Sequence, residues 1–220
     1  MKSKKKITVV MPALNEEPTI GPLVKGVMKN TDEVIVVDDG STDRTGEIAE
    51  KNGATVLRQE SNTGYDRAIS AGFKMAESTG ADIILTFDAD GQHEASDIPR
   101  MVRPIIEGKA DIVVGVRPRV FRLAERLFKI YSKRAIGVAD PFCGMKAYSV
   151  DVYREVGYFD RMDSIGTQLM FEAEKRDFRI AQIGIKLNLR RDEPRFGRRV
   201  KANIKIFTAM LKIMVSRKFK

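Results

Sequence analysis

Along the chain, short runs of β-branched and other apolar residues alternate with stretches whose apolar positions recur at helical spacing. Ile7 to Met11 predicts a strand. Ile20, Leu23, Val24, Val27 and Met28 step by three and four and predict a helix, and Glu33 to Val37 predicts the next strand. The alternation continues with a short helix at Thr45 to Lys51, a strand at Thr55 to Leu57 and a helix at Ala68 to Ser78. Strands at Ile83 to Phe87 and Ile112 to Val114 follow, with a helix from about Ser96 to Glu107 between them. Strand, helix, strand, helix implies an α/β fold, a mostly parallel sheet with helices on both faces.

After Gly115 the pattern changes. A basic helical stretch, Phe121 to Ile136, leads to a loop at Asp140-Pro141-Phe142-Cys143-Gly144, a helix near Gly166 to Lys175 and a last strand near Ile180 to Ile185. From Arg199 onward Ile204, Phe207, Leu211, Met214 and Val215 recur among Lys201, Lys205, Lys212, Arg217 and Lys218, which predicts an amphipathic basic helix. Two fates are open to it. Either its apolar stripe packs on the domain, or Ile204, Phe207, Leu211 and Met214 press into a lipid headgroup boundary. Residues 1–198 then form one continuous domain with a soft boundary near 115, and 199–220 form the appended helix.

Composition narrows the chemistry. There is one cysteine, Cys143, and one histidine, His93, in 220 residues, which excludes an internal disulfide and a zinc cluster built on thiolates or imidazoles. Any metal therefore relies on carboxylates. No run of eighteen apolar residues exists to cross a bilayer, and the short apolar stretch after the basic head is broken by Pro12 and followed by acids, a first strand rather than a signal peptide. The expected location is the cytoplasm. The net charge is +9, and residues 186–220 hold twelve Lys or Arg against Asp192 and Glu193, so the rest of the chain is close to neutral. Positive charge confined to one terminal segment suits a membrane surface or an anionic substrate better than a nucleic acid.

In a mostly parallel sheet, ligands bind beyond the carboxyl ends of the strands. Three polar clusters fall there: Pro12-Ala13-Leu14-Asn15-Glu16, Asp38-Asp39-Gly40-Ser41 and Asp88-Ala89-Asp90. Asp88 and Asp90 alternate with Ala89, so in extended chain both carboxylates point to one side. Two hard oxygen ligands suit Mg²⁺ or Mn²⁺, an ion that completes its shell with water and the oxygens of a bound di- or triphosphate. The Asp38-Asp39 pair, before a glycine and a capping Ser41, offers a carboxylate to a ribose or a base. Arg122 and Arg126, four apart beside Arg117 and Arg119, read as a phosphate funnel, against the plainer reading of a solvated helix face. Asp140 is either a turn acid before Pro141 or a general base.

P-A-L-N-E-E after the first strand, V-V-D-D-G-S-T-D-R-T after the second, N-T-G-Y-D-R-A-I-S-A-G before a helix, D-A-D-G-Q-H and D-P-F-C-G-M-K-A-Y occur in that order between Ile7 and Gly197. Together they resemble family 2 of the inverting glycosyltransferases, of GT-A (Rossmann-like) type, and most of all the dolichol-phosphate mannose and glucose synthases. The resemblance implies that Pro12, Leu14, Glu16, Val37 and Asp39 hold the nucleoside, and that Asp88, Ala89, Asp90 and Gln92 hold the metal and diphosphate. It implies a phosphate or donor contact for Arg117. It also points to Arg191 and Arg195, although Pro194 stands where a serine is usual. Tyr65 and Asp66 replace the usual Lys and Gly, so that loop is assigned no ligand contact.

The expected activity is metal-dependent transfer of a sugar from a GDP- or UDP-sugar to a polyprenyl or dolichyl phosphate, on the cytoplasmic face of a membrane. Hydroxyl-using relatives resemble one another in an acidic pair near Gly166-Thr167-Gln168-Leu169, and this chain has none there. A phosphate acceptor is already anionic and needs no base, hence the preference for a lipid phosphate. The alternatives are transfer to a glycan or small-molecule hydroxyl, and a non-catalytic nucleotide-binding protein at the membrane.

Overall fold

A computed structural model describes residues 4–118, 123–188 and 199–218. Arg122, Arg191 and Arg195, together with Arg119, lie outside the described residues. β1 (Ile7–Ala13) leads through α1 (Glu17–Met28) to β2 (Glu33–Asp38), α2 (Thr45–Lys51), β3 (Thr55–Arg58), α3 (Tyr65–Ser78) and β4 (Ile83–Thr86). A single 3₁₀ turn at Ala95–Asp97 opens α4 (Ile98–Ile106), followed by β5 (Ile112–Val116) and α5 (Leu123–Ile136). The last elements are β6 (Lys146–Ser149), α6 (Val150–Val156), α7 (Gln168–Glu174), β7 (Ile180–Gly184) and α8 (Arg199–Lys218).

Seven strands form one sheet in the order β3-β2-β1-β4-β6-β5-β7. β1 pairs in parallel with β2 and β4, β2 with β3, and β5 with β7, whereas β6 runs antiparallel to both β4 and β5. The mostly parallel α/β sheet read from the alternation is therefore present, with one reversed strand that the pattern did not reveal. β6 follows residue 115 in the chain yet lies between β4 and β5, so both halves of the chain share one sheet.

Alternate residues of the central strands enter opposite cores, as the two-residue period of a strand requires. Val9 and Met11, Val34 and Val36, and Ile83 and Leu85 face α1, α2 and α4, packing against Ile20, Val24 and Met101. Val10, Ile35, Val37 and Ile84 face α3 and the helices that follow, packing against Ile69, Phe73, Phe128 and Leu169. Both faces being covered explains why these strands read as unbroken apolar runs.

α8 resolves the two fates predicted for it in an unexpected way. Ile206, Ala209 and Ile213 are buried, and the helix packs on α5. Ile204, Phe207, Leu211 and Val215, the stripe expected to act as one apolar face, stand in solvent. The helix is apolar on two sides, and Ile213 of the inward side packs in the core with Phe128 of α5.

Candidate active site

The parallel register brings the three polar clusters to one edge. Ala13 is level with Asp38, and the amide of Phe87 donates to the carbonyl of Val10 at 3.0 Å, so the chain leaves β1, β2 and β4 side by side. The loop after β1 is tied to the loop after β2. Asn15, at φ 49°, receives the Thr42 amide on Oδ1 at 2.8 Å, while its own amide donates to Ser41 Oγ at 2.9 Å. The amide of Glu16 donates to Thr45 Oγ1 at 2.7 Å, and Thr19 Oγ1 donates to the Ala89 carbonyl at 3.0 Å, which joins this frame to the D-A-D segment.

The two adjacent acids after β2 have separate tasks. Asp38 accepts the Ser41 amide at 2.9 Å and closes the turn. Asp39 accepts the amide and hydroxyl of Thr63, both at 2.8 Å, and the Gly64 amide at 2.9 Å, fixing the loop that opens α3. Gly40, which follows them, has φ 77°, and a Cβ there would come within 2.7 Å of the Ser61-Asn62 backbone, so the two loops touch where no side chain fits. Pro12 and Leu14 are half-buried at the rim, Glu16 is buried, and the Val37 side chain is committed to the core.

Asp88 is held from three sides. One oxygen lies 3.3 Å from the Tyr65 hydroxyl and the other 3.3 Å from His93 Nε2. Its carboxylate rests directly on the backbone of Gly144, where any Cβ would overlap it. Burial works to raise the Asp88 pKa, but the His93 ring, the Lys146 ammonium and the Tyr65 hydroxyl outweigh it and hold the group below the ordinary carboxylate range. Burial, and then the charges of Asp88 and Asp66, push the Tyr65 phenol well above its ordinary value, so it stays a neutral donor. Asp90 accepts the Gln92 amide at 3.0 Å, and the Gln92 carbonyl accepts the Asn188 amide at 2.8 Å. Asp88 and Asp90 are only partly buried. Among the described residues no group of three or more His, Cys, Asp or Glu side chains is placed to hold a metal. β4 ends at Thr86 and Ala89-Asp90 lie in a turn, so the extended chain expected to point both carboxylates to one side does not persist. Asp88, held ionised, and Asp90 are hard oxygen donors on one loop, and a cation there needs further oxygens from its ligand.

On the other side of the edge, Arg117 and Asp140 are brought together. Arg117 Nε and Nη2 donate to the two Asp140 oxygens at 2.8 Å each, its amide adds a bond of 3.0 Å, and Nη2 also reaches Glu125 Oε2 at 3.0 Å. Burial opposes the guanidinium charge, but Asp140 and Glu125 outweigh it and raise its pKa further. Arg126 is exposed on α5. Cys143 is fully buried, its thiol pushed up to about 12 by burial and by the Asp140 charge.

Four residues that support this edge were given no role in the sequence reading: Tyr65, Asp66, His93 and Lys146. Asp66 accepts the Gly166 amide at 2.6 Å and that of Ile165 at 3.2 Å, and Lys146 Nζ donates to the Gly166 carbonyl at 2.8 Å. Ile165 sits at φ 58°, a conformation that a β-branched residue rarely takes, so the clamp holds a strained turn against the site. Burial draws the Lys146 pKa below that of a free lysine, although the Cys143 thiol and the Asp88, Asp140 and Asp66 carboxylates pull the other way. The available signal was the substitution itself: Tyr65-Asp66 stands where Lys and Gly are usual, and the new pair takes over contacts within the protein.

Comparison with known proteins decides the family. Residues 8–157 match the family model described as glycosyl transferase family 2. The chain belongs to that family. An uncharacterised protein of Methanocaldococcus jannaschii is 33% identical to this glycosyltransferase, with 84% of this chain and 82% of the relative covered. A UDP-N-acetylglucosamine–dolichyl-phosphate N-acetylglucosaminyltransferase of Methanococcus voltae is 29% identical, covering 97% of this chain and 98% of the relative. Among solved structures, glucosyl-3-phosphoglycerate synthase from Mycobacterium tuberculosis, in complex with Mn²⁺ and UDP-glucose, superposes with a TM-score of 0.77 at 25% identity, covering 98% of this chain and 80% of that one. The GT-A fold of the glycosyltransferase is thereby shown.

Proposed function

We propose that this glycosyltransferase moves a sugar, with inversion, from a nucleotide-sugar donor to a polyprenyl or dolichyl phosphate, with Mg²⁺ or Mn²⁺ as cofactor. The observation that carries the acceptor is the state of the acids. Asp140, the candidate base, has both oxygens occupied by Arg117. Glu172 is buried and paired with Lys175 at 2.9 Å and Arg176 at 3.3 Å. At the position where hydroxyl-using relatives carry acids, Thr167 donates to the Ser164 carbonyl and Gln168 accepts the Arg161 amide. An acceptor that arrives already ionised requires none of these groups to take a proton. The relative from Methanococcus voltae, named for a dolichyl-phosphate acceptor and aligned over nearly its whole length, supports the same choice. Its name, and the UDP-glucose of the Mycobacterium tuberculosis complex, favour a uridine donor over a guanosine one.

In this reaction an acceptor phosphate oxygen forms a bond to the anomeric carbon as the bond from that carbon to the donor diphosphate breaks, and the nucleoside diphosphate leaves with the electron pair. A bound divalent cation supplies electrostatic stabilisation of that leaving charge. Asp88 and Asp90 would hold it, with Gln92 beside them. Tyr65, His93 and the Gly144 backbone fix Asp88 so that its oxygens need no reorganisation. The frame of Pro12, Leu14, Glu16 and Asp39, with the Asp88-Ala89 backbone, would receive the nucleoside. Arg117 keeps its charge beside the edge whatever the pH, and Arg126, Arg122, Arg191 and Arg195 are the further cations assigned to the acceptor phosphate.

Transfer of radiolabelled sugar from UDP- and GDP-donors to dolichyl phosphate, with Mn²⁺ and with chelator, tests the proposal. Product extractable into organic solvent is expected, dependent on the metal and abolished in Asp90→Ala. A second reading, transfer to a small-molecule hydroxyl, draws on the name of the structural neighbour, glucosyl-3-phosphoglycerate synthase. Product formed only on a soluble hydroxyl acceptor, and lost in Asp140→Asn, would establish that reading instead.

A further inference from the structure

α5 and α8 lie against each other and carry nearly all the large apolar side chains that the described residues leave in water. Leu127 and Ile130 of α5 are 47% and 53% exposed, and Ile204, Phe207, Leu211 and Val215 of α8 are 44–58% exposed. Only Ile106 is comparable elsewhere among the described residues. The residues form one surface rather than a scatter. Leu127, Ile130, Tyr131 and Arg134 from α5 and Met210 and Met214 from α8 line a shallow groove of about 440 Å³ between the helices. Phe207 and Leu211 stand a helical turn from Met210 and Met214, and Ile204 and Val215 extend the strip at both ends. Soluble proteins seldom expose so continuous an apolar patch without a partner for it.

The charge around the patch states the chemistry of that partner. By sequence α5 has Arg126, Lys129, Lys133 and Arg134 against one acid, Glu125, and Glu125 is buried and turned inward to Arg117. α8 has six Lys or Arg over its twenty residues and no acid at all. The described cations that stand exposed on these two helices, Arg126, Lys133, Arg134 and Lys212, with the exposed Asp163 beside α8 paired to Lys212 at 3.7 Å, make the apolar strip complementary to an anionic lipid surface, where the strip enters the acyl boundary and the cations meet the headgroups. The face also lies close to the chemistry: Glu125 in the first turn of α5 joins Arg117 at the catalytic edge, and Lys212 of α8 donates to the Met162 carbonyl at 2.6 Å, in the loop next to the strained Ile165 turn.

We infer that the joint outer face of α5 and α8 docks this enzyme on an anionic bilayer, with the groove between the two helices receiving acyl chains. The inference rests on the lipid-phosphate reading for its purpose, and it extends the surface beyond the terminal helix to α5. Flotation of the full chain with vesicles of phosphatidylcholine, and of phosphatidylcholine mixed with phosphatidylglycerol, tests it. The chain is expected to float with the anionic vesicles, to remain behind with the neutral ones, and to be released by salt. The double variant Ile130→Glu/Phe207→Glu is expected to partition about tenfold less or worse, the scale set by withdrawing two large apolar side chains from the interface. It should melt at the parent's temperature and still transfer sugar to a short-chain, water-soluble polyprenyl phosphate at the parent's rate. Leu211→Glu, alone, should give a smaller loss in the same direction. Equal flotation of parent and double variant would overturn the inference. So would a parent indifferent to both vesicles, or a parent dimer that the double variant dissolves, since a second copy would then cover the face. If the parent floats as expected but transfers nothing to the short-chain acceptor, the acceptor reading alone has failed.

Discussion

Gly144 has no room for a side chain, because the Asp88 carboxylate occupies the space in which its Cβ would stand. The residue therefore shapes the proposed metal site without offering a functional group. Gly144→Ala should displace Asp88 and cost about 1–3 kcal/mol of stability, the usual scale of overpacking. Its decisive effect should be weaker nucleotide binding with Mn²⁺, read as a smaller melting shift on adding UDP and metal, with little change in binding of UDP under chelator. Tyr65→Phe is gentler. It removes one neutral donor from Asp88, worth about 0.5–1.5 kcal/mol, and should lower the rate while leaving the melting temperature within a few degrees. Cys143 gives a converse case: with its thiol buried and pushed up to about 12, it should not react with a disulfide reagent near pH 8 until the chain unfolds, and a full-rate reaction of the native protein would contradict the packing described. The placement of Asp39, Asp88 and Asp90 just beyond strand ends was legible in the sequence, because carboxylates that follow an apolar run are visible in one dimension. Tyr65, Asp66, His93 and Lys146 were not, since each acts on a group far away in sequence: Lys146 on Gly166, Asp66 on Ile165 and Gly166, and both Tyr65 and His93 on Asp88.

At the scale of elements, what the hydrophobic pattern conveyed depended on burial from both sides. β1, β2, β4 and β5 are buried on two faces and appear as short apolar runs, so their existence and succession along the chain were legible. β6 is only Lys-Ala-Tyr-Ser, yet every residue of it is buried. A lysine at its start and a serine at its end conceal it, because their polar atoms are satisfied by Gly166 and by the cap of α6. α3 starts at Tyr65, three residues before the expected Ala68, since Asp66 faces inward to the 165–166 turn instead of toward water. That contact yields a prediction about coupling between elements. Asp66→Ala leaves two amides and a strained Ile165 without their acceptor. It should lower stability by about 2–4 kcal/mol, as expected when a buried charged acceptor is removed from its donors, with an unchanged denaturant slope. Asp66→Asn, which keeps an acceptor oxygen, should recover part of that loss.

Across the whole molecule, charge and shape are divided between two regions. Residues 186–220 carry a surplus of ten positive charges, while the preceding chain is nearly neutral and contains the acidic catalytic edge. Among the described residues, Arg126, Lys133, Arg134 and Lys212 stand exposed on the two helices that also carry the exposed apolar surface. α8 connects the regions, since Lys175 Nζ reaches the Ser216 carbonyl at 3.4 Å and Lys212 holds the Met162 carbonyl. The sequence could show that this helix is amphipathic but not which stripe would turn inward, because both of its apolar sides satisfy the same periodicity and only the shape of α5 distinguishes them. The choice has a measurable consequence. Ile213 is 1% exposed in the core with Phe128, so Ile213→Ala should cost about 2–4 kcal/mol, the transfer term plus the cavity left behind. Phe207 is larger, yet it is 46% exposed, so Phe207→Ala should change stability by less than about 1 kcal/mol in the absence of lipid. Urea denaturation of the two variants in parallel separates the arrangements: if Phe207→Ala were the more costly, α8 would be packed through the opposite stripe, and the surface assigned to the bilayer would be the one facing the core.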